Sequence, residues 1–256
     1  MKLATWNVNS IRQRAEQVAR WVKRAAPDIL LLQELKCEAA AFPETLFAEL
    51  GYRAEIVGQK AYNGVAVLSR LPFETRARAL PGLPPHDTQA RYVEIEAAGM
   101  VVGGLYAPNG NSGGDVGFAY KLAWLDALAV HAAHLLAADT PLILAGDFNI
   151  CPTDADLAPG ALVPEDALVR PESRAGFRRL LWLGLTDALR ALHPTERLFT
   201  FWDYQASAFD ADRGLRIDHV LLSPTLAERL VAASVERAER AAPQPSDHVP
   251  VIVTLD

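Results

Sequence analysis

Apolar positions along the chain fall into two patterns, and the pattern changes at turn residues. Residues 3–7 (LATWN) read as a short strand, and Ser10 stands where an N-cap is expected for a helix over 11–25, with Val18, Trp21 and Val22 at helical spacing. Pro27 ends that helix. Residues 28–33 (DILLLQ) form a continuous apolar run of strand length, the pattern of a strand buried on both faces, and deliver Glu34 at its end. Further strands are expected over 63–69, 91–96 and 100–106, separated by Pro- and Gly-bearing turns, which suggests an antiparallel meander. Residues 120–138 are rich in Ala and Leu without Pro or Gly and read as the clearest helix. A buried strand over 141–145 then runs into Gly146-Asp147-Phe148-Asn149. A helix over 174–183 and strands over 199–204, 216–223 and 249–255 complete the series.

Long helices mixed with apolar strands on short turns predict an α/β protein with two sheets packed face to face and helices outside. No Gly/Ser linker, charge block or low-complexity tract divides the chain, so one domain over 1–256 is expected. With 256 residues, 50% of them hydrophobic, such a body buries a large core without help from disulfides or structural metal.

Cys37 and Cys151 lie far apart and fit no zinc spacing, which suits a reducing cytoplasm. The N-terminus lacks the apolar core of a signal peptide, and no stretch approaches the ~18 uncharged apolar residues of a membrane span, so neither secretion nor membrane insertion is expected. The formal net charge of −6 has the wrong sign for bulk attraction to nucleic acid. Binding to DNA would need local positive charge, or divalent cations that reverse the field of acidic side chains.

Polar residues recur where the apolar strands end: Asn7, Glu34, Asp147 and Asn149, Asp218, and Asp247-His248. A carboxylate at the end of a core strand is held rigidly yet stays accessible. Glu34 reads either as an ion-pair partner of Lys36 or as a ligand to a hard cation such as Mg²⁺ or Mn²⁺. Asp147 and Asn149 read as an Asx-type turn, or as two side chains aimed at one water or phosphate. His248 reads as part of a turn after Pro245, or as a fixed donor to a phosphate oxygen if an acid orients it. Asp218, flanked by Ile217 and Val220, is the candidate orienter; its alternative partners are Arg213 and Arg216. His86, His131, His134 and His193 lack partners at ligand spacing and read as surface or packing residues.

Taken in order, TWNVNSIR, LLQELK, YNGVAVLSR, LYAPNG, LAGDFNI, GLTDALR, FTFWDY, GLRIDHVLLS and PSDHVPV resemble the exonuclease III family of apurinic/apyrimidinic endonucleases, within the endonuclease/exonuclease/phosphatase superfamily. The resemblance spans residues 5 to 251. It implies a four-layered α/β sandwich of two packed mixed β-sheets flanked by helices, with the site at one edge of the sheets. It implies a Mg²⁺ cofactor, replaceable by Mn²⁺, held by Glu34 with Asn7 and more distantly Asp247, and a metal set that extends to Asp147, Asn149 and His248. Asp147 then positions or deprotonates the attacking water with Asn149 in support, while His248, held by Asp218, and Tyr106 with Asn109 face the phosphate.

The same resemblance assigns Phe201, Leu215 and Ile217 to an apolar pocket for a baseless sugar. Trp202 beside them reads equally as a core aromatic or a DNA contact. Asn63, Gly64 and Arg91 match substrate-facing motifs, and Arg174, Arg178 and Arg179 suggest a local basic strip. The loop after Tyr106, APNGNSGGDVGF, departs from the family in carrying no cation at its tip. The implied partner is double-stranded DNA with abasic sites or blocked 3′ ends, cut by a monomeric, cytoplasmic enzyme. The alternative is another phosphodiester substrate of the superfamily, such as RNA or an inositol phosphate.

Overall fold

The computed structural model describes residues 1–256. Its first half runs β1 (Lys2–Asn7), α1 (Ile11–Ala25), β2 (Ile29–Gln33), α2 (Glu44–Ala48), β3 (Arg53–Val57), β4 (Val65–Ser69), β5 (Phe73–Ala77), β6 (Tyr92–Ala97), β7 (Met100–Tyr106) and α3 (Gly114–Ala137). The second half runs β8 (Leu142–Asp147), α4 (Pro171–Trp182), β9 (Thr186–Asp187), α5 (Ala188–Leu192), β10 (Asp218–Leu222), α6 (Pro224–Ala227), β11 (Leu230–Val235) and β12 (Val251–Leu255). No helix is long and apolar enough to cross a membrane.

The strands form two six-stranded sheets, in the orders β11-β12-β1-β2-β4-β3 and β5-β6-β7-β8-β10-β9. Each is mixed in the same way: one parallel central pair, β1–β2 or β7–β8, among antiparallel neighbours. Period-two alternation sorts the side chains into layers. Leu3, Ile29 and Leu31 from one sheet meet Val102, Ile143 and Val220 from the other. The intervening Ala4, Leu30 and Leu32 face Trp21 and Val22 of α1 and Phe47 of α2. On the far side Leu105, Leu142 and Leu144 pack on Trp124 and Leu128 of α3 and Phe177 of α4. The result is the expected four-layered α/β sandwich. Each large apolar side chain so buried contributes roughly 1.5–3 kcal/mol, so a one-residue slip of β2, which would swap two dry faces at once, is strongly disfavoured.

Several expectations are corrected. Residues 65–69 do not join a meander with the following strands; β4 pairs with β2 and β3, and the meander is β5-β6-β7. Alternation names a strand's dry face but not its neighbour. The edge strands β3 and β5 are half exposed, which blurs their apolar pattern. Residues 199–204 form no strand; Phe201 makes isolated bridges to Leu215 and His248. The α3 helix begins at Gly114, six residues before the Ala/Leu-rich stretch, because Gly-rich composition there does not prevent a first turn. Ser10 makes no side-chain cap. Instead the Ser10 and Ile11 amides donate to the Glu34 and Leu35 carbonyls, at 2.8 and 3.2 Å, and so fasten α1 to the end of β2.

Candidate active site

The parallel registers bring strand ends to one edge of the sandwich. Asn7 pairs with Gln33 in register, so Glu34 emerges beside it; Tyr106 pairs with Asp147, and Asp147 with Asp218 on its other side. Asp147 needs Gly146 before it, since a Cβ there would lie 1.9 Å from the Leu105 carbonyl oxygen. Glu34 itself adopts φ +53, an unfavourable conformation for a residue with a side chain. That strain is of order 1–3 kcal/mol and is sustained by the surrounding bonds, among them Leu35 N–H to the Gly64 carbonyl at 3.1 Å. Gly64 is small for the same packing, because its Cβ would fall 2.8 Å from that of Leu35.

The two sheets meet in one hydrogen-bonded cluster. The Asn7 amide donates to Glu34 Oε1 at 2.9 Å and to Asp147 Oδ2 at 3.0 Å. His248 Nδ1 lies 2.8 Å from Asp218 Oδ2, and its Nε2 lies 3.8 Å from Asp147 Oδ2. Asn149 N–H donates to Asp147 Oδ1 at 2.8 Å, and the Asn149 amide donates to the Ala107 carbonyl at 2.9 Å. Asn109 in turn donates to Asn149 Oδ1 at 3.0 Å. The Lys36 ammonium sits 2.8 Å from Glu34 Oε2, so the ion pair and the strand-end carboxylate coexist. Asp218 is bound to His248 rather than to arginine: Arg216 turns away to Asp156 and Asp187.

Ligand atoms of Glu34, Asp147 and His248 all lie within 4.8 Å of one another. The two carboxylates are hard oxygen donors, the chemistry that Mg²⁺ or Mn²⁺ takes. His248 brings a ring nitrogen to the same point. Burial opposes its charge, but Asp218, Asp147 and Asp247 raise its pKa to about 10, so without a cation the ring is a charged donor. Asp247 stands to the side, its Oδ1 held by the Asn9 amide at 3.0 Å. Asn7 and Asn149 hold the carboxylates in place with the bonds above. Burial raises the Asp147 carboxyl to about 7, with Asp218 adding to the effect and His248 opposing it. Burial works against ionisation of Glu34 too, but Lys36 and Asn7 hold its carboxyl below the usual range. Burial, Glu34 and Asp147 keep the Tyr106 hydroxyl protonated.

Two cavities flank the cluster. Asn63, Arg91, Tyr106 and Asn109 line one of about 610 Å³, with the Arg91 guanidinium 4.8 Å from the Tyr106 ring centre. Phe201 and Leu215 line the other, of about 220 Å³, with Gly160, Leu162 and Arg213. The Phe201 ring on its wall lies 4.9 Å from that of His248. Ile217 is buried beneath it with Cys151 and Leu168. Trp202 is a core residue, 1% exposed, in edge-to-face contact with Phe199 and Phe209 and with its indole N–H on Asp212. Of the suggested basic strip, Arg174 bonds the Cys151 carbonyl and Asp154, Arg179 pairs with Asp126, and Arg178 is exposed. His131 is tied to Glu94 at 2.6 Å and His193 to Glu196 at 2.9 Å.

Sequence reasoning passed over two buried groups. Lys121 lies beneath Asn149, and His219 donates to the Ile150 carbonyl at 2.9 Å within the Arg216–Asp156–Asp187 network. Lys121 does leave a signal: with Trp124, Leu125 and Leu128 it occupies the core face of α3, where a cation is out of place.

The arrangement is that of a metal-assisted phosphoester hydrolase. A model of the endonuclease/exonuclease/phosphatase family matches residues 4–248. Exodeoxyribonuclease III of Haemophilus influenzae is 34% identical over 263 residues, covering 98% of each chain. Among solved structures, a 3′ phosphatase from Neisseria bound to a product DNA hairpin superposes with a TM-score of 0.95 at 39% identity, covering 100% of this chain and 99% of that one. An AP endonuclease from Archaeoglobus fulgidus does so with a TM-score of 0.93 at 35% identity, covering 100% and 99%. The chain belongs to the endonuclease/exonuclease/phosphatase family and, within it, to the exonuclease III group.

Proposed function

We propose that this protein is a DNA repair nuclease that hydrolyses the phosphodiester 5′ of an abasic site, with 3′-phosphodiesterase and 3′-to-5′ exonuclease activity as companions. The observation that carries the reading is the juxtaposition of the Asp218–His248 pair, the Asp147 carboxylate 3.8 Å from His248, and the apolar cavity at Phe201.

In this reading Asp147, braced by the Asn149 N–H and the Asn7 amide, orients water and takes its proton as oxygen attacks phosphorus. The bond from phosphorus to O3′ breaks, leaving a 3′ hydroxyl and a 5′ phosphate on the baseless sugar. His248 donates from Nε2 to a non-bridging oxygen, and because Asp218 fixes its ring, that donor needs no reorganisation as charge develops. The Tyr106 hydroxyl and the Asn109 amide are further neutral donors facing the phosphate. Glu34 and Asp147 would hold Mg²⁺, with Asn7 bridging them. When bound, the cation offsets charge on the phosphate oxygens and lowers the pKa of coordinated water.

Phe201 and Leu215 offer an extruded sugar apolar contact in a cavity of about 220 Å³. A second reading, in which 3′-end processing is the principal activity, draws on the 39% identity to a 3′ phosphatase. Purified protein with Mg²⁺ and three duplexes separates them: one with an internal abasic analogue, one with a 3′ phosphate, one undamaged with a recessed 3′ end. The proposal expects fastest cleavage at the abasic analogue; fastest release at the 3′ phosphate favours the second reading, and no cleavage of any duplex ends both.

A further inference from the structure

Lys121 is fully buried on the core face of α3, and burying an ammonium ion is costly unless its hydrogen bonds are met. Here they are met by backbone: Nζ donates to the Asn109 carbonyl at 3.0 Å and to the Asn149 carbonyl at 2.5 Å. No other donor reaches either carbonyl. The two belong to different segments, one following β7 and one following β8, and no backbone ladder joins the sheet ends at that point. The lysine stem reaches them under Gly110, where a Cβ would lie 2.7 Å from Lys121 Cδ. The chain therefore keeps a gap open for this one side chain.

What the ammonium holds is the support of the site. Asn149 has φ +51, its N–H braces Asp147, and its side chain spans from the Ala107 carbonyl to the Asn109 amide. We propose that Lys121 is a positioning residue for the reaction: it ties the Asn109 and Asn149 segments together from beneath, so that the two amides and Asp147 face the phosphate in register. The inference rests on the phosphodiesterase reading above. An apolar side chain of similar length would fill the same space but leave the two carbonyls unpaired, and so separates the ties from the packing.

Lys121→Met and Lys121→Gln test it. In the folded Met variant kcat on the abasic duplex should fall about 10–100-fold, since displacements of 1 Å near the chemistry cost up to about 10²-fold, while KM stays within about twofold. Lys121→Gln, a neutral donor that can keep one carbonyl, should recover part of that loss, and it serves alone if the Met variant does not fold. Independently of activity, the side-chain amide resonances of Asn109 and Asn149 in ¹⁵N spectra of the DNA-free protein should shift in both variants while those of Asn63 stay. A kcat within about twofold of wild type in a folded variant, or unmoved Asn109 and Asn149 amides, overturns the proposal. Failure of the nuclease reading shows separately, as a wild-type protein that cleaves none of the three duplexes.

Discussion

His248 Nδ1 lies 2.8 Å from Asp218 Oδ2, with both side chains out of solvent. Two consequences follow: the ring cannot turn, and its positive charge persists in a place where burial alone would remove it. Asp218→Asn should therefore lower kcat about 10–100-fold, the usual cost of losing a carboxylate behind a functional histidine. Because Asp218 raises the imidazole pKa, its loss lets His248 give up its proton at lower pH, and the alkaline limb of the activity profile should move down. An unmoved limb would show that His248 does not act as a charged donor.

Asp147→Asn should reduce turnover by about two orders of magnitude or more while DNA binding, followed by fluorescence anisotropy, persists. The same change should raise stability in metal-free buffer. Burial holds the folded carboxyl near 7, above its unfolded value of about 3.9, so wild type loses stability as pH rises from about 3.9, and the loss is complete above about 7. The melting temperature of the variant should exceed that of wild type at pH 8, the gap should be smaller at pH 5, and it should close only below about pH 4, where the carboxyl is protonated in both states.

Phe201→Ala enlarges the cavity that Phe201 lines with Leu215 and removes the ring that touches His248. Cleavage at an internal abasic analogue should weaken more than release of a 3′-terminal nucleotide. Equal losses on the two substrates would count against a sugar-selective pocket.

Behind β10, Asp156 accepts from both Arg216 and Arg190, at 2.8 and 2.5 Å, with almost no exposure. Burial favours its neutral form, but Arg216 and Arg190 hold the carboxyl well below the usual range. Asp156→Asn leaves a buried guanidinium short of a partner and should cost about 3–5 kcal/mol. Since the folded pKa is depressed, this stabilisation is complete above the unfolded carboxyl value of about 3.9 and is lost only as pH falls toward the folded one. Chemical denaturation at pH 7 and pH 5 should give the same difference between variant and wild type.

Much of this molecule is written locally. The unbroken apolar run of β2, the period of α1 and the strand-end polar residues Asn7, Glu34, Asp147 and His248 were legible because burial on two faces, helical spacing and chain termination each leave a pattern within about ten residues. The pairing of β4 with β2 and β3, the absence of a strand over 199–204 and the burial of Trp202 were not, because they depend on which surfaces meet across the fold. The same division runs through the site. Residue type and position named the carboxylates and the imidazole; only the packed sheets decided that Asn7 bridges Glu34 and Asp147, that Asp218 serves His248 rather than pairing with an arginine, and that Lys121 reaches the Asn109 and Asn149 carbonyls. A hydrogen bond between residues 140 apart in the chain, such as Asn7 to Asp147, depends on the register of two sheets at once, and neither segment alone carries that information.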